Sequence, residues 1–166
     1  MAALCLEMAR DARISLLLEV YDQSFDRAAW HGTSLGRGLS QMTWKEALRR
    51  PRGAHHNIWE LVLHIAYWKC VVRRRLTRDP GVEFARSPAN WPAVPAKPSA
   101  ILWKRDVTLL RREHQLLRAV IERFPATQLG RKGWHTRWSN AATIYGIASH
   151  DLYHTGQIQL VRALLP

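Results

Sequence analysis

The sequence predicts an all-α fold, an antiparallel bundle of four helices, and three observations carry that prediction. Four long stretches place apolar residues three and four apart, the period of a helix with one buried face. No run alternates apolar and polar residues strictly enough to read as a strand. Two of the connections between the stretches are substantial, as in bundles whose sites are built from side chains on facing helices.

The first helix is expected over residues 7–30, with Ile14, Leu17, Leu18, Tyr21 and Phe25 as its stripe and His31-Gly32 as its stop. Gly36, Gly38 and Pro51 interrupt residues 33–53. Within them a short helix fits 43–49, where Thr43 and Glu46 have the spacing of a capping box. The second long helix has the same signal in Asn57 and Glu60. Leu61, Val62, Ile65, Trp68, Val72 and Leu76 then share one face, and Asp79-Pro80-Gly81 breaks the helix just after Thr77.

Prolines at 80, 88, 92, 95 and 98 mark a crossover loop that contains Asn90-Trp91. Ser99 caps a third helix reaching to about Phe124, and Pro125 closes it. After a polar loop over 128–138, Ser139 or Asn140 starts the fourth helix. Its residues Ile144, Ile147, Ile158, Val161 and Leu165 lie on one side. No internal repeat at a fixed period is visible.

At 166 residues the chain fits one domain, 1–166, long enough to bury a core without staples. Cys5 and Cys70 are its two cysteines, a pattern that suits a reducing compartment and argues against thiolate metal sites. The apolar patch at the N-terminus is shorter than a signal-peptide core, and no window is long and apolar enough to span a membrane. A cytoplasmic protein is expected. The formal charge of +12 would draw the chain toward nucleic acid, an anionic surface or acidic small molecules without choosing among them.

His150, Asp151 and His154 fall on the same side of the fourth helix as its apolar stripe. Buried polar groups left unpaired cost roughly 1–3 kcal/mol each, so something must meet them. Histidines four apart on a helix project side by side and can ligate one ion, although eight His in 166 residues give roughly 0.4 such pairs by chance. The other reading is core histidines bonded to backbone or to Asp151. His64, near the apolar side of the second helix, is the candidate third ligand. Three neutral imidazoles leave a coordination position open, the composition of a catalytic site rather than a structural one. Tyr153, Asp151 and Gln157 are candidates to orient the ligating rings. His55 and His56 are expected to flank a pocket mouth or lie on the surface, and His31 to cap the first helix. His114 and His135 carry no signal.

HNIWELVLHIAYWK at 56–69 and IYGIASHDLYHTGQIQLV at 144–161, with EVYDQSFDRAAWHG at 19–32, resemble the DinB and YfiT-like superfamily of metalloenzymes. The most specific part is HxxxHxGQI, here His150, His154, Gly156, Gln157 and Ile158, paired with one mid-helix histidine in the second helix. The resemblance implies an up-down-down-up four-helix bundle, often dimeric, with a metal held at positions matching His64, His150 and His154. It implies thiol-dependent S-transferase, isomerase or metal-dependent hydrolase chemistry and carries over no catalytic base.

The expectation is therefore a metal-dependent enzyme for a small-molecule substrate, of hydrolase or thiol S-transferase type. Its ion would be zinc, nickel, iron or manganese, with a low-molecular-weight thiol as a further cofactor in the second case. Two other classes stand beside it. The charge, Arg73 to Arg75 with Arg78, Arg111-Arg112 and eight Trp suit nucleic-acid binding, against the plainer reading of solvated helix faces and core tryptophans. A non-catalytic dimeric bundle would use the metal as a staple.

Overall fold

The computed structural model describes residues 10–165. Among them it is helical, with no strand and two isolated bridges, Ala29 to Gly32 and Lys132 to Ser139. Four long helices form the body: α1 (Ala12–Phe25), α4 (Ile58–Thr77), α5 (Ala100–Glu122) and α6 (Asn140–Ala163). Two short helices, α2 (Leu35–Leu39) and α3 (Trp44–Leu48), fill the first connection, and a 3-10 turn (Ala126–Gln128) lies in the last.

The start signals act as local chemistry requires. Side chains of Asp11, Thr43, Asn57, Ser99 and Ser139 each accept an amide from the first turn of the helix that follows, and the reciprocal capping boxes form at Thr43/Glu46 and Asn57/Glu60. Arg78 ends α4 in the left-handed conformation, φ 55°.

The first helix differs from expectation at its end, and its expected start at residue 7 lies outside the described residues. It stops at Phe25 instead of Trp30 because the chain turns back to lay α2 against it. A Cβ on Gly36 would sit 2.9 Å from the Phe25 carbonyl oxygen, so only glycine permits that approach. His31 consequently lies exposed in the turn instead of capping a helix, and Trp30 is fully exposed. The short helix α2, which the Gly-rich pattern did not announce, buries Leu35 and Leu39.

α4 packs against α3, α5 and α6, and α1 packs against α2, α5 and α6. Thirteen of the 20 residues of α4 are buried, on more than one face, as a central helix requires. Contacts fix the senses of the helices. Trp59 meets Asp106 and Arg73 meets Glu113, so α4 and α5 run the same way, unlike the antiparallel neighbours the helix pattern alone suggested, because the long proline-rich crossover carries the chain back before α5 starts. Tyr21 reaches His114 while Asp22 pairs with Arg118 and Arg10 with Glu122, so α1 opposes α5.

Two apolar clusters fill the bundle. One gathers Phe25, Leu35, Ile58, Leu61, Leu63, Ile65, Trp103, Leu110, Ile158 and Val161. The other gathers Ile14, Leu18, Val72, Leu76, Leu117, Ile121, Ile144 and Ile147. Buried polar residues interrupt this packing along α4, α5 and α6: His64 within the first cluster, and Lys69, Glu113, His114, Asp151 and His154 between the two. The candidate site is built from two of them, His64 and His154, and from His150 beside them.

Candidate metal centre

His64 projects from the middle of α4, and His150 and His154 project one turn apart from the neighbouring α6. The rings converge. His150 Nε2 lies 3.3 Å from His64 Nε2 and 3.1 Å from His154 Nε2, and one ligating nitrogen from each ring lies within 4.8 Å of the others. His64 and His154 are buried, and His150 is half-buried.

The outer nitrogens decide which atoms face inward. His64 Nδ1 lies 2.6 Å from the Asn90 carbonyl, which can only accept, so Nδ1 holds the hydrogen and Nε2 keeps its lone pair. His154 Nδ1 lies 2.6 Å from Gln157 Oε1, whose own amide nitrogen donates to the Tyr153 hydroxyl at 3.1 Å. That chain sets the same tautomer for His154. His150 Nδ1 is buried without a hydrogen-bond partner. Two lone pairs thus point at the third Nε2 from either side. A proton there serves one neighbour well, whereas a cation serves all three rings. Nitrogens each about 2.0–2.1 Å from one ion stand roughly 3 Å or slightly more apart, and the two separations above meet that condition.

Burial, partly opposed by the Asn90 carbonyl, pushes His64 down to about 4. Burial, then the charges of His154 and His64, push His150 down to about 3, and burial also lowers His154. At neutral pH all three rings are therefore uncharged, the form that binds metal. The set fits a divalent ion on imidazole ligands.

A stack of rings leads outward from this centre. Trp91 lies on His64 with centroids 3.8 Å apart and on His56 at 3.5 Å. His56 Nδ1 faces Glu60 Oε2 at 3.3 Å, while the other Glu60 oxygen holds Arg50 at 2.6 Å. Beside the stack opens a cavity of about 520 Å³ lined by His55, His56, Leu61, Trp91, Tyr153, His154, Gln157 and Leu160 among others. His55 and His56 thus flank a pocket as expected. Gln157 orients a ring as expected, with Tyr153 behind it.

Asp151 does not support the ligating rings. It lies 100° around the helix from His150, and that rotation turns it to the bundle interior, where Lys69 Nζ meets its Oδ2 at 2.5 Å and Ser24 Oγ donates at 3.3 Å. His114, which showed no signal in sequence, is buried there too, stacked on Tyr21 and Phe25 with Nδ1 3.4 Å from Lys69 Nζ. His31 and His135 take no part in the centre: both are exposed in turns. Sequence reasoning overlooked Asn90 and Trp91 as site residues. Their signal was an isolated aromatic in a proline-rich crossover.

No helix among the described residues is long and apolar enough to cross a membrane. Comparison with curated proteins and with solved structures finds no match. A family model for the DinB superfamily matches residues 25–158, which takes in α2 to α5, the whole histidine cluster and most of α6. By that match, on an all-helical fold, the chain belongs to the DinB superfamily.

Proposed function

We propose that this protein is a metal-dependent enzyme acting on a small molecule, with His64, His150 and His154 as the ligands of one divalent ion. The observation that carries the reading is the convergence of three inward Nε2 atoms beside an open, largely apolar cavity. Zinc, nickel, iron and manganese all accept imidazole, and three protein ligands leave room for a substrate atom. When bound, such an ion polarises an oxygen or sulfur and makes water or a thiol more acidic. That chemistry serves hydrolysis or the transfer of a low-molecular-weight thiol.

The chain's own residues divide the remaining work. Asn90 and Gln157 hold two ligating rings in their tautomers. His56, with Nδ1 on Glu60, keeps Nε2 for moving a proton to or from a group in the cavity. Leu61, Trp91 and Leu160 line it with apolar surface that favours a small molecule's hydrocarbon part. The protein is further proposed to work as a cytoplasmic homodimer. Tyr145, Tyr153 and Leu160 on α6 and Leu164 just after it are exposed, the last three at the rim of the cavity, and a second copy packed there would cover them and narrow its mouth, which sedimentation or light scattering would show as twice the chain mass.

Metal analysis of untagged protein, followed by calorimetric titration with Zn²⁺, Ni²⁺ and Mn²⁺, tests the ion. One equivalent bound by the wild type and lost in His64→Ala and His150→Ala is the expected result. No bound divalent ion, or binding that survives both substitutions, removes the reading. A panel of ester, amide and thiol-plus-electrophile substrates, assayed with and without chelator, then tests the enzyme. Turnover that ignores the chelator removes the metal from the chemistry.

A further inference from the structure

Far along the bundle from the histidines, the end of α4 and the loop before α6 bring a second group of side chains together. Arg78, Lys132, Trp134, His135 and Arg137 line a concavity of about 740 Å³. Arg74, Arg75 and Pro80 line an adjoining one of about 290 Å³, and Trp134 and His135 belong to both. Neither lining contains a carboxylate. Asp79, next in sequence to Arg78, lines a different groove and accepts the Gly81 amide at 2.8 Å.

Several arginines elsewhere are held by carboxylates: Arg73 by Glu113, Arg118 by Asp22, Arg86 and Arg105 by Asp106, Arg50 by Glu60, Arg162 by Glu46. Arg74, Arg75, Arg78, Lys132 and Arg137 form no such pair among the described residues. Burial, then the charge of Arg74, lowers Arg75, so both disfavour a cation that an adjacent anion would stabilise.

The loop is built rather than loose. Gly133 N–H donates to the Trp138 carbonyl at 2.9 Å, Asn140 N–H to the Arg131 carbonyl at 2.9 Å, and the Asn140 side chain to the Gln128 carbonyl at 2.9 Å. His135 and Arg78 both hold left-handed backbone, φ 51° and 55°, which non-glycine residues adopt at a cost. Trp134 is half-buried, its remaining surface turned to the two concavities. Arginines already lie over neighbouring rings, Arg137 over Trp138 at 4.7 Å and Arg75 over Trp68 at 5.8 Å.

We infer that this end of the bundle is a second ligand site, separate from the histidine centre, which takes a nucleoside phosphate. The phosphates meet Arg78, Lys132 and Arg137, and the base lies against Trp134. Unpaired cations beside an aromatic surface recognise that combination, whether the nucleotide is free or part of a single strand. Arg74 and Arg75 in the adjoining concavity extend the path for further phosphates.

The test uses the whole protein and three probes: ATP, tripolyphosphate and a labelled ten-nucleotide thymidine oligomer, the last also over a salt series. Lys132→Glu/Arg137→Glu changes two exposed side chains, and Trp134→Ala removes the ring; unchanged thermal unfolding certifies the fold of each. Saturable ATP binding that weakens at least tenfold in the double variant is expected. Trp134→Ala should weaken ATP severalfold yet leave tripolyphosphate unchanged. An oligomer binding at least tenfold tighter than ATP, with affinity falling steeply in salt, assigns the site to single strands; equal or weaker binding assigns it to free nucleotides. No saturable binding of ATP or oligomer at low salt, or equal binding by the wild type and the double variant, overturns the inference. Metal binding at His64, His150 and His154 is unaffected by either result.

Discussion

Lys69 Nζ and Asp151 Oδ2 meet at 2.5 Å with neither side chain exposed, tying α4 to α6 one residue from His150. The ammonium is shared with the Tyr21 hydroxyl at 3.3 Å and lies over the Tyr21 and Phe25 rings at 4.6 and 5.2 Å. Burial lowers Lys69 and raises Asp151, and their contact opposes both shifts. Each charge is tolerated because the other is there.

Removing one partner therefore strands a buried charge. Lys69→Met and Asp151→Leu are each expected to cost about 3–5 kcal/mol of stability, whereas the double variant should cost well under their sum. Urea unfolding of the four proteins measures this. Additive losses would mean that the two groups are not coupled.

The pair also shows what was legible in the sequence. Lys69 lies four residues after Ile65, on the stripe with Leu61, Val72 and Leu76, so a charge in an apolar face was visible. Its partner was not, because side-chain spacing along one helix says nothing about which residue faces it across the core. The long helices were legible because Asn57, Ser99 and Ser139 cap locally and the stripes are continuous. His150 and His154 were legible as a pair, since four residues on a helix fix their relation. His64 was legible as a candidate from its place near the stripe of the second helix, and the resemblance added its pairing with the other two. Asn90 and Trp91 came from a loop, where no period exists to place them.

Gln157 holds the ring of His154 through a 2.6 Å contact at Nδ1. Gln157→Leu should weaken divalent-ion affinity about 10–100-fold while leaving the fold intact, as loss of such an outer contact does at other sites. Competition titration reads the affinity. His154→Ala should lose the ion and still unfold near the temperature of metal-free wild type. A variant unfolded at room temperature would instead make the ion a staple for the fold.

His114 predicts a pH dependence. Burial, then the charges of Lys69 and Arg118, hold it down to about 2, against 6.5 for a free imidazole. Because the folded value lies below the unfolded one, the unfolded chain takes up the extra proton. This contribution is complete above about pH 6.5 and is lost on acidification, at about 1.4 kcal/mol per pH unit. Metal-free His114→Phe keeps a ring between Tyr21 and Phe25 and should show a stability slope between pH 6 and 4.5 shallower by about one proton. Equal slopes would mean that His114 is protonated in the fold.

Gly36 offers a test in which two effects have opposite signs. It lies inside α2, where alanine is intrinsically better than glycine by about 1 kcal/mol. Propensity alone therefore expects Gly36→Ala to stabilise. The added methyl would stand 2.9 Å from the Phe25 carbonyl oxygen and 3.6 Å from Asp26 Cβ. The oxygen belongs to the backbone at the end of α1 and cannot rotate aside, so α2 must move, and such overpacking costs about 1–3 kcal/mol. Steric cost should win, giving a net loss of about 1–2 kcal/mol in urea unfolding. Gly38→Ala is the control: it meets only Thr33 Cγ2 at 3.9 Å and should be neutral or stabilising. A stabilised Gly36→Ala would mean that α2 does not press on the end of α1, and the early stop of that helix at Phe25 would need another cause.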